Sequence, residues 1–315
     1  MSLPVIIINP QSAGGATRDA WPKMASDLGQ HFGPFKPEFT SVTGDGAQLA
    51  AEAARKGANL IIACGGDGTI SEVANGILSS GTSAEMGILP SGTGGDFRRT
   101  LKIPTRTSEA ARILRTGRTK LLDVGSVTFT NRNGENDTRY FIGVASFGMS
   151  ADVIGRVKEA GDSGQIAKVS KWLSGRLSFA TAMAETAFKS HPTRVAVQLD
   201  EDSERHMTVA NLCVANARYF GGGMKIAPDA KLDDGKFDVV SVGDIGAARI
   251  LANAPRLYIG AHLSIPEVGH ALATKVVARA LNDAEQIEIE VDGELPGYLP
   301  ATFQILPKSL RVRCP

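Results

Sequence analysis

The sequence predicts an α/β domain built on a mainly parallel, doubly wound sheet, followed by a β-rich, sandwich-like domain. Three observations predict this. Short apolar, β-branched runs alternate with helix-spaced segments from Pro4 to Leu89. Beyond Leu121 the texture changes to period-two alternation, clearest in Ile287, Ile289 and Val291. The length of 315 residues suits two domains at about 100–200 residues each. The boundary is expected near 120–125, giving domains over 1–122 and 123–304.

The elements follow in order. Pro4–Asn9 is apolar and β-branched, hence a buried first strand, and a small-residue loop over Pro10–Thr17 comes next. Trp21, Met24, Ala25 and Leu28 recur at helical spacing, and Phe35–Val42 reads as a second strand. Ala47–Lys56 is an alanine-rich helix, and Asn59–Cys64 a third buried strand. Ile70, Val73, Ala74 and Ile77 mark a helix, and Met86–Leu89 a strand ending at Pro90. In the second half, strands are expected over Leu122–Phe129, Tyr140–Ala145, Thr193–Leu199, Thr208–Ala215, Phe237–Val242 and Gln286–Val291. Helical inserts are expected near 151–189 and 246–261.

Composition excludes several functions. Lys and Arg number 34 against 33 Asp and Glu, too balanced for a dedicated nucleic-acid binder. The cysteines, Cys64, Cys213 and Cys314, have neither disulfide-framework nor zinc spacing and read as cytoplasmic thiols. The N-terminal apolar run lacks a preceding basic region, and no run approaches the roughly 18 apolar residues of a membrane span. The five histidines form no metal-spaced or triad-like set.

The sharpest local signal is a buried strand running into Gly65-Gly66-Asp67-Gly68-Thr69 and then a helix. Glycines admit a bulky anion to the backbone, and the helix N-terminus favours phosphate. A carboxylate repels phosphate directly, so Asp67 belongs beside a metal ion or a ribose hydroxyl. A plain turn with Asp67 capping its helix would use the same residues. Two further loops, Asn9–Gly15 and Leu89–Phe97, follow the first and fourth strands. In a parallel sheet all three open at the same edge, where ligands bind. Together they point to one nucleotide–metal site. G-x-x-x-x-G-K-[ST] and the protein-kinase signatures are absent.

GGDGT, followed by LPSGTGGDFRRTL, resembles the diacylglycerol kinase catalytic domain family, which includes bacterial diacylglycerol kinases and the related sphingosine and ceramide kinases. NPQSAGG at the start, FIGVASFGMSADV, GGGMKIAPDAKLDDGKFDVV and EIEVDGELPG extend the resemblance over essentially the whole chain. One departure is Gly95, where the family's third loop usually has Asn.

The resemblance implies a fold related to NAD kinase and phosphofructokinase, with residues 305–315 returning to the first domain. It implies an ATP- and Mg2+-dependent kinase that phosphorylates a lipid hydroxyl, such as that of diacylglycerol, to give phosphatidic acid. Asn9, Ser12, Gly14, Gly65, Gly66, Gly68, Thr69, Ser91, Gly92 and Thr93 would hold the nucleotide, with Thr43, or instead Thr40, adding a contact. Asp67 and Asp96 would organise magnesium, and Glu294, just past the Asp292-Gly293 turn, would act as general base. Asp234, with the backbone carbonyls of Lys231 and Lys236, would form a structural magnesium site, though Asp-Gly is also an ordinary turn pair. Asp152 would face the acceptor's head group, or else cap a helix. The alternatives are an NAD kinase-like small-molecule kinase and an inactive nucleotide- or lipid-binding regulator.

A lipid acceptor implies peripheral contact at the inner membrane face. Residues 153–189 carry six basic against three acidic side chains, interleaved with Trp172, Leu173, Leu177 and Phe179. Such a segment suits an anionic membrane surface, or packs on its own domain with a solvated basic face. Exposed edges in the β-rich half would permit a homodimer.

Overall fold

The computed structural model describes residues 3–92, 94–162, 186, 191–282 and 284–315. It forms two compact units, Met1–Val124 with Pro307–Pro315, and Gly125–Leu306.

The first unit contains β1 (Val5–Ile8), α1 (Ala16–His31), β2 (Lys36–Phe39), α2 (Asp45–Arg55), β3 (Leu60–Gly65), α3 (Asp67–Ser79), β4 (Glu85–Pro90), α4 (Asp96–Thr100) and α5 (Thr107–Thr116). The chain leaves this unit within β5 (Arg118–Asn131). The second unit adds β6 (Asn136–Phe141), β7 (Val144–Gly148), α6 (Met149–Asp162), β8 (Thr193–Leu199), β9 (Arg205–Ala215), β10 (Phe237–Gly243), α7 (Ala247–Ile259), β11 (Val268–Ala273), β12 (Lys275–Ala280) and β13 (Glu288–Val291). The last strand, β14 (Glu294–Cys314), carries the chain back into the first unit.

In the first unit the sheet order is β14-β4-β3-β1-β2, with every pairing parallel. Helices cover both faces, which explains why β1 and β3 are apolar at every position rather than alternating. Ile6, Ile8, Ile62 and Cys64 pack with Met24 and Leu28 of α1 and with Ala110, Ala111 and Leu114 of α5. The returning end is fixed by charge. Arg313 grips both carboxylate oxygens of Glu85 and donates to Leu114 O at 2.8 Å, while Thr119 Oγ1 donates to Glu85 Oε1 at 2.6 Å. Asp123 Oδ1 accepts the Lys308 N–H at 2.8 Å.

The second unit is antiparallel, with β11-β10-β9-β7-β13-β14 in one run and β12 linking β14 to β8. Its core gathers Phe141, Phe147, Phe237 and Phe303 with Val, Ile and Leu from alternate strand positions. Phe141 stacks on Phe237 at 5.5 Å between ring centroids and meets Phe303 edge-on at 6.4 Å.

The structure corrects one strand. Tyr140–Ala145, expected as continuous, is broken at Ile142-Gly143 into β6 and β7. The cause is Asp292, whose carboxylate accepts the N–H groups of Ile142, Gly143 and Val144 at 3.0, 2.9 and 3.2 Å. Those amides turn to the side chain instead of continuing one ladder.

Candidate active site

In the order β2-β1-β3-β4, the direction of winding reverses between β1 and β3. A reversal of this kind leaves a crevice outside the strands' carboxyl ends. The three small-residue loops leave β1, β3 and β4 at that edge.

The first loop is tied to the second. Asn9 Nδ2 donates to Thr69 Oγ1 at 3.1 Å, and the Gln11 N–H donates to Asn9 Oδ1 at 2.9 Å. Ser12–Gly15 then make a single 3-10 turn, with Gly14 exposed and left-handed at φ 65°. Ser12 Oγ accepts the Gly66 N–H at 3.4 Å.

The second loop is tied to the third. The Ser91 N–H donates to Gly65 O at 2.9 Å, continuing the β3–β4 ladder one residue beyond the strands. Gly92 then lies against Gly66 so closely that a Cβ on Gly92 would sit 2.5 Å from Gly66 Cα. Thr17, fully buried in α1, bonds Ser91 O at 3.0 Å and Ser91 Oγ at 2.6 Å.

Asp67 opens α3 without capping it, because its Oδ1 reaches across to accept the Phe97 N–H of α4 at 3.1 Å. Its Oδ2 faces a cradle at Gly94 that a Cβ would fill, 2.6 Å from the oxygen. Asp96, buried at 8% exposure, holds Arg99 at 2.6 Å. The unit thus presents exposed glycine backbone at Gly68 and Gly92, the N-terminus of a 13-residue helix, and a carboxylate oxygen directed at a small-residue gap. Phosphate suits the first two, and a hard cation the third.

In the second unit, Asp292 (φ 49°) and Gly293 (φ 88°) form a two-residue hairpin turn between β13 and β14, both left-handed as a type I′ turn requires. The three amides that break β6 from β7 hold Asp292, and Glu290 Oε1 accepts the Gly293 N–H at 2.5 Å. Glu294 is the first residue of β14, half-buried and opposite Val291. Asp152, in the first turn of α6, lines a polar cavity of about 590 Å³ whose wall includes Arg132, Glu288 and Tyr298.

Comparison with known proteins decides the lineage. Residues 4–127 match the diacylglycerol kinase catalytic domain, and residues 155–314 match the YegS C-terminal NAD kinase beta sandwich-like domain. A Bacillus subtilis (strain 168) protein named diacylglycerol kinase is 30% identical over 315 residues, covering 98% of this chain and 95% of its own length. The chain belongs to the diacylglycerol kinase family. A diacylglycerol kinase of Mycobacterium tuberculosis (strain CDC 1551 / Oshkosh) is 30% identical over 275 residues, covering 86% of this chain and 82% of its own. A solved structure described as a diacylglycerol kinase from Bacillus anthracis str. Sterne shares the fold, with a TM-score of 0.75 at 23% identity over 99% of this chain and 97% of that one.

The protein is therefore a lipid kinase, and membership of a kinase family implies ATP use. The first unit draws Asn9, Ser12, Gly65, Gly66, Asp67, Thr69, Ser91 and Gly92 into one bonded group. Thr43 stands apart, exposed on the β2–α2 loop, and Thr40 is buried with its N–H on Ile8 O at 2.9 Å. Asp234 forms its own small turn, its Oδ1 accepting the Lys236 N–H at 3.2 Å, and Lys231, Asp234 and Lys236 are all exposed. Among the described residues, no group of three or more His, Cys, Asp or Glu is placed to hold a metal ion, so neither acidic site is an all-side-chain cage. Thr93 and the basic positions Lys168, Lys171 and Arg176 lie outside the described residues. Among the described residues, no helix is long and apolar enough to cross a membrane.

Sequence reasoning missed four supporting residues. Thr17 clamps Ser91 from another element and leaves no local signal. Glu72 of α3 accepts the N–H groups of Gly44 and Gly46 at 2.9 and 3.0 Å, tying the Thr43 loop to the helix that Asp67 opens. Arg99 was legible as an i, i+3 partner of Asp96. Glu290, buried beneath the Asp292-Gly293 turn, read only as a polar step in an alternating strand.

Proposed function

We propose that this kinase transfers the γ-phosphate of ATP to the hydroxyl of diacylglycerol, giving phosphatidic acid. The observation that carries the proposal is the bonding of the three loops around Gly66 and Gly92, which leaves backbone amides free of side-chain bulk where phosphates approach. In this reading the nucleotide lies on Ser12, Gly66, Gly68, Thr69, Ser91, Gly92 and Thr93. Asp67 and Asp96 would hold Mg2+ and its waters. Asp67 Oδ2, 2.6 Å from where a Gly94 Cβ would stand, is a hard oxygen donor of the kind such an ion takes. Bound there, the ion would supply charge neutralisation on the phosphates.

Glu294 takes the proton of the acceptor hydroxyl, a contribution of roughly 10²–10⁴-fold for a positioned carboxylate. The rigidity of its turn supports the role, since a base must be held where it acts. Asp152, on its polar cavity, receives the acceptor's head group. Asp234, with carbonyl oxygens of Lys231 and Lys236, offers hard oxygen donors suited to a structural magnesium. The lipid is met at a membrane surface.

A radiolabelled-ATP assay over vesicles containing diacylglycerol, monoacylglycerol, a sphingoid base or an isoprenol tests the acceptor. Diacylglycerol is expected to be labelled fastest, with label lost in Asp67→Ala and Glu294→Ala. Faster labelling of another lipid overturns the assignment.

A further inference from the structure

A buried chain of hydrogen bonds in the second unit runs from the Glu294 turn to the start of α6. At one end, Glu290 Oε1 accepts the Gly293 N–H at 2.5 Å. Its other oxygen, Oε2, accepts the Ser146 hydroxyl. Ser146 Oγ in turn accepts the Ser150 hydroxyl at 2.7 Å. Ser150 is the second residue of α6, and its N–H donates to Asn211 Oδ1 at 2.9 Å. Glu290, Ser146, Ser150 and Asn211 are exposed by 5, 0, 7 and 5%, so water cannot replace a lost partner.

The one hydroxyl proton of Ser146 goes to Glu290, and the Ser150 hydroxyl lies 2.7 Å from both Ser146 Oγ and Asn211 Oδ1. Each oxygen of the Glu290 carboxyl group meets a donor, the Gly293 N–H on Oε1 and the Ser146 hydroxyl on Oε2. No other side chain of that length satisfies both ends. Strand pairing explains how the residues meet: Glu290 of β13 lies opposite Ser146 of β7, and Gly148 at the end of β7 lies opposite Asn211 of β9. β7 runs directly into α6, whose first turn carries Asp152.

We propose that Glu290 is a positioning residue that holds the Glu294 turn and the first turn of α6 as one unit. Buried at 5% exposure, it acts through the turn and not by direct contact. Its effect on turnover rests on the reading of Glu294 as base, and its effect on structure does not. A misplacement of about 1 Å at a reacting group costs roughly 100-fold in rate.

The test combines kinetics with amide hydrogen exchange on the full chain. Glu290→Ala is expected to lower kcat about 100-fold, leave the KM for ATP near wild type, and speed exchange at Gly293 and in the first turn of α6. Ser146→Ala cuts the link to α6 midway, so exchange should quicken in the first turn of α6 beyond Ser150, whose N–H stays on Asn211, while Gly293 stays protected. Glu290→Gln presents one donor where two acceptors are needed, and an intermediate kcat with faster Gly293 exchange is expected. It also serves if the alanine variant does not fold. Wild-type exchange at Gly293 in Glu290→Ala or Glu290→Gln overturns the proposal. If Glu294→Ala keeps its kcat, the base reading fails, and the exchange data still decide the role of Glu290.

Discussion

Gly92→Ala isolates the contact that closes the phosphate-binding edge. Gly92 does not occupy the left-handed region, so alanine brings no backbone penalty there. What it brings is a Cβ at 2.5 Å from Gly66 Cα and 3.0 Å from Gly66 N. Carbon atoms rest at about 3.5–4.0 Å, so the two loops must part by roughly 1 Å. Neither can yield by rotating a side chain, because both sides of the contact are backbone. The Ser91–Gly65 and Gly66–Ser12 bonds stand beside the contact and would stretch with it. A displacement of about 1 Å is expected to cost roughly 100-fold in kcat/KM for ATP, about 2.7 kcal/mol of transition-state stabilisation. Overpacking would cost about 1–3 kcal/mol of stability in a full core, and less at this exposed position. The assay is steady-state lipid phosphorylation with ATP varied, alongside calorimetric titration of an ATP analogue. Gly29→Ala in α1 serves as control: nothing lies within 4 Å of its Cβ, and helix propensity predicts a gain of about 0.5–1 kcal/mol with unchanged kinetics. A Gly92→Ala enzyme within threefold of wild type in both measurements would refute the reasoning.

Arg313→Met should cost about 3 kcal/mol in urea unfolding, because it leaves the Glu85 carboxylate, 10% exposed, without its cation. Lys56→Met, which breaks a pair exposed by 75 and 44%, should cost less than about 0.5 kcal/mol, and equal losses would contradict this ranking. Asp45 is held below its ordinary value of 3.8 by the N–H groups of Val42 and Ser41. Because the folded-state pKa is depressed, its contribution is complete above pH 3.8 and fades as pH falls through the folded value. The Tm gap between wild type and Asp45→Asn should therefore be flat from pH 7 to about 5 and shrink below pH 3.8, whereas a gap that shrinks near pH 6 would contradict the assignment. Burial pushes the Cys64 thiol up to about 12 and Cys314 up to about 11, and raises Cys213 as well. Iodoacetamide at pH 8 should spare all three in the folded protein and label them in urea, as read by mass spectrometry.

The α/β half was legible because parallel strands buried on both faces declare themselves as apolar runs. Val5–Ile8 and Leu60–Gly65 have no polar residue to obscure the signal. The loop edge was legible for a related reason: glycine, serine and aspartate cluster where the strands end. Most of what escaped has a partner distant in sequence. The strand β14 contains Pro296, Gly297, Pro300 and Pro307, each locally a breaker, yet pairing with β13, β12 and β4 holds it extended. β11 is built from Val268, Gly269, His270, Ala271, Leu272 and Ala273, too weak an alternation to announce an edge strand. The clamps Thr17–Ser91, Glu72–Gly44 and Glu290–Gly293 join helix to loop or strand to turn, and two of the three span more than 25 residues. Asp67 shows the limit most clearly. Its sequence neighbours allow it to cap α3, and only the folded loop reveals that it spends that bond on α4 instead.

Gly95, the residue that departs from the family's usual Asn, fits its position for two separate reasons. Its backbone is left-handed, at φ 68° and ψ 39°, a region that glycine enters freely and Asn more readily than most side chains. The backbone path of the loop is therefore the same with either residue, and Asp96 keeps its place after the turn. The second reason is particular to this chain. A Cβ on Gly95 would meet Arg98 Nε at 2.7 Å and its Cγ and Cδ at 3.3 Å, so the Arg98 side chain occupies the space that a residue-95 side chain would need. Arg98 reaches on to donate to Ile103 O at 3.3 Å, and the charges of Asp67 and Asp96 act on its guanidinium. An Asn introduced here would have to displace a side chain already bonded, while Gly95 lets Arg98 fold back across the start of α4. The departure at 95 thus leaves no hole: one turn of helix later, the chain supplies the side chain that covers it.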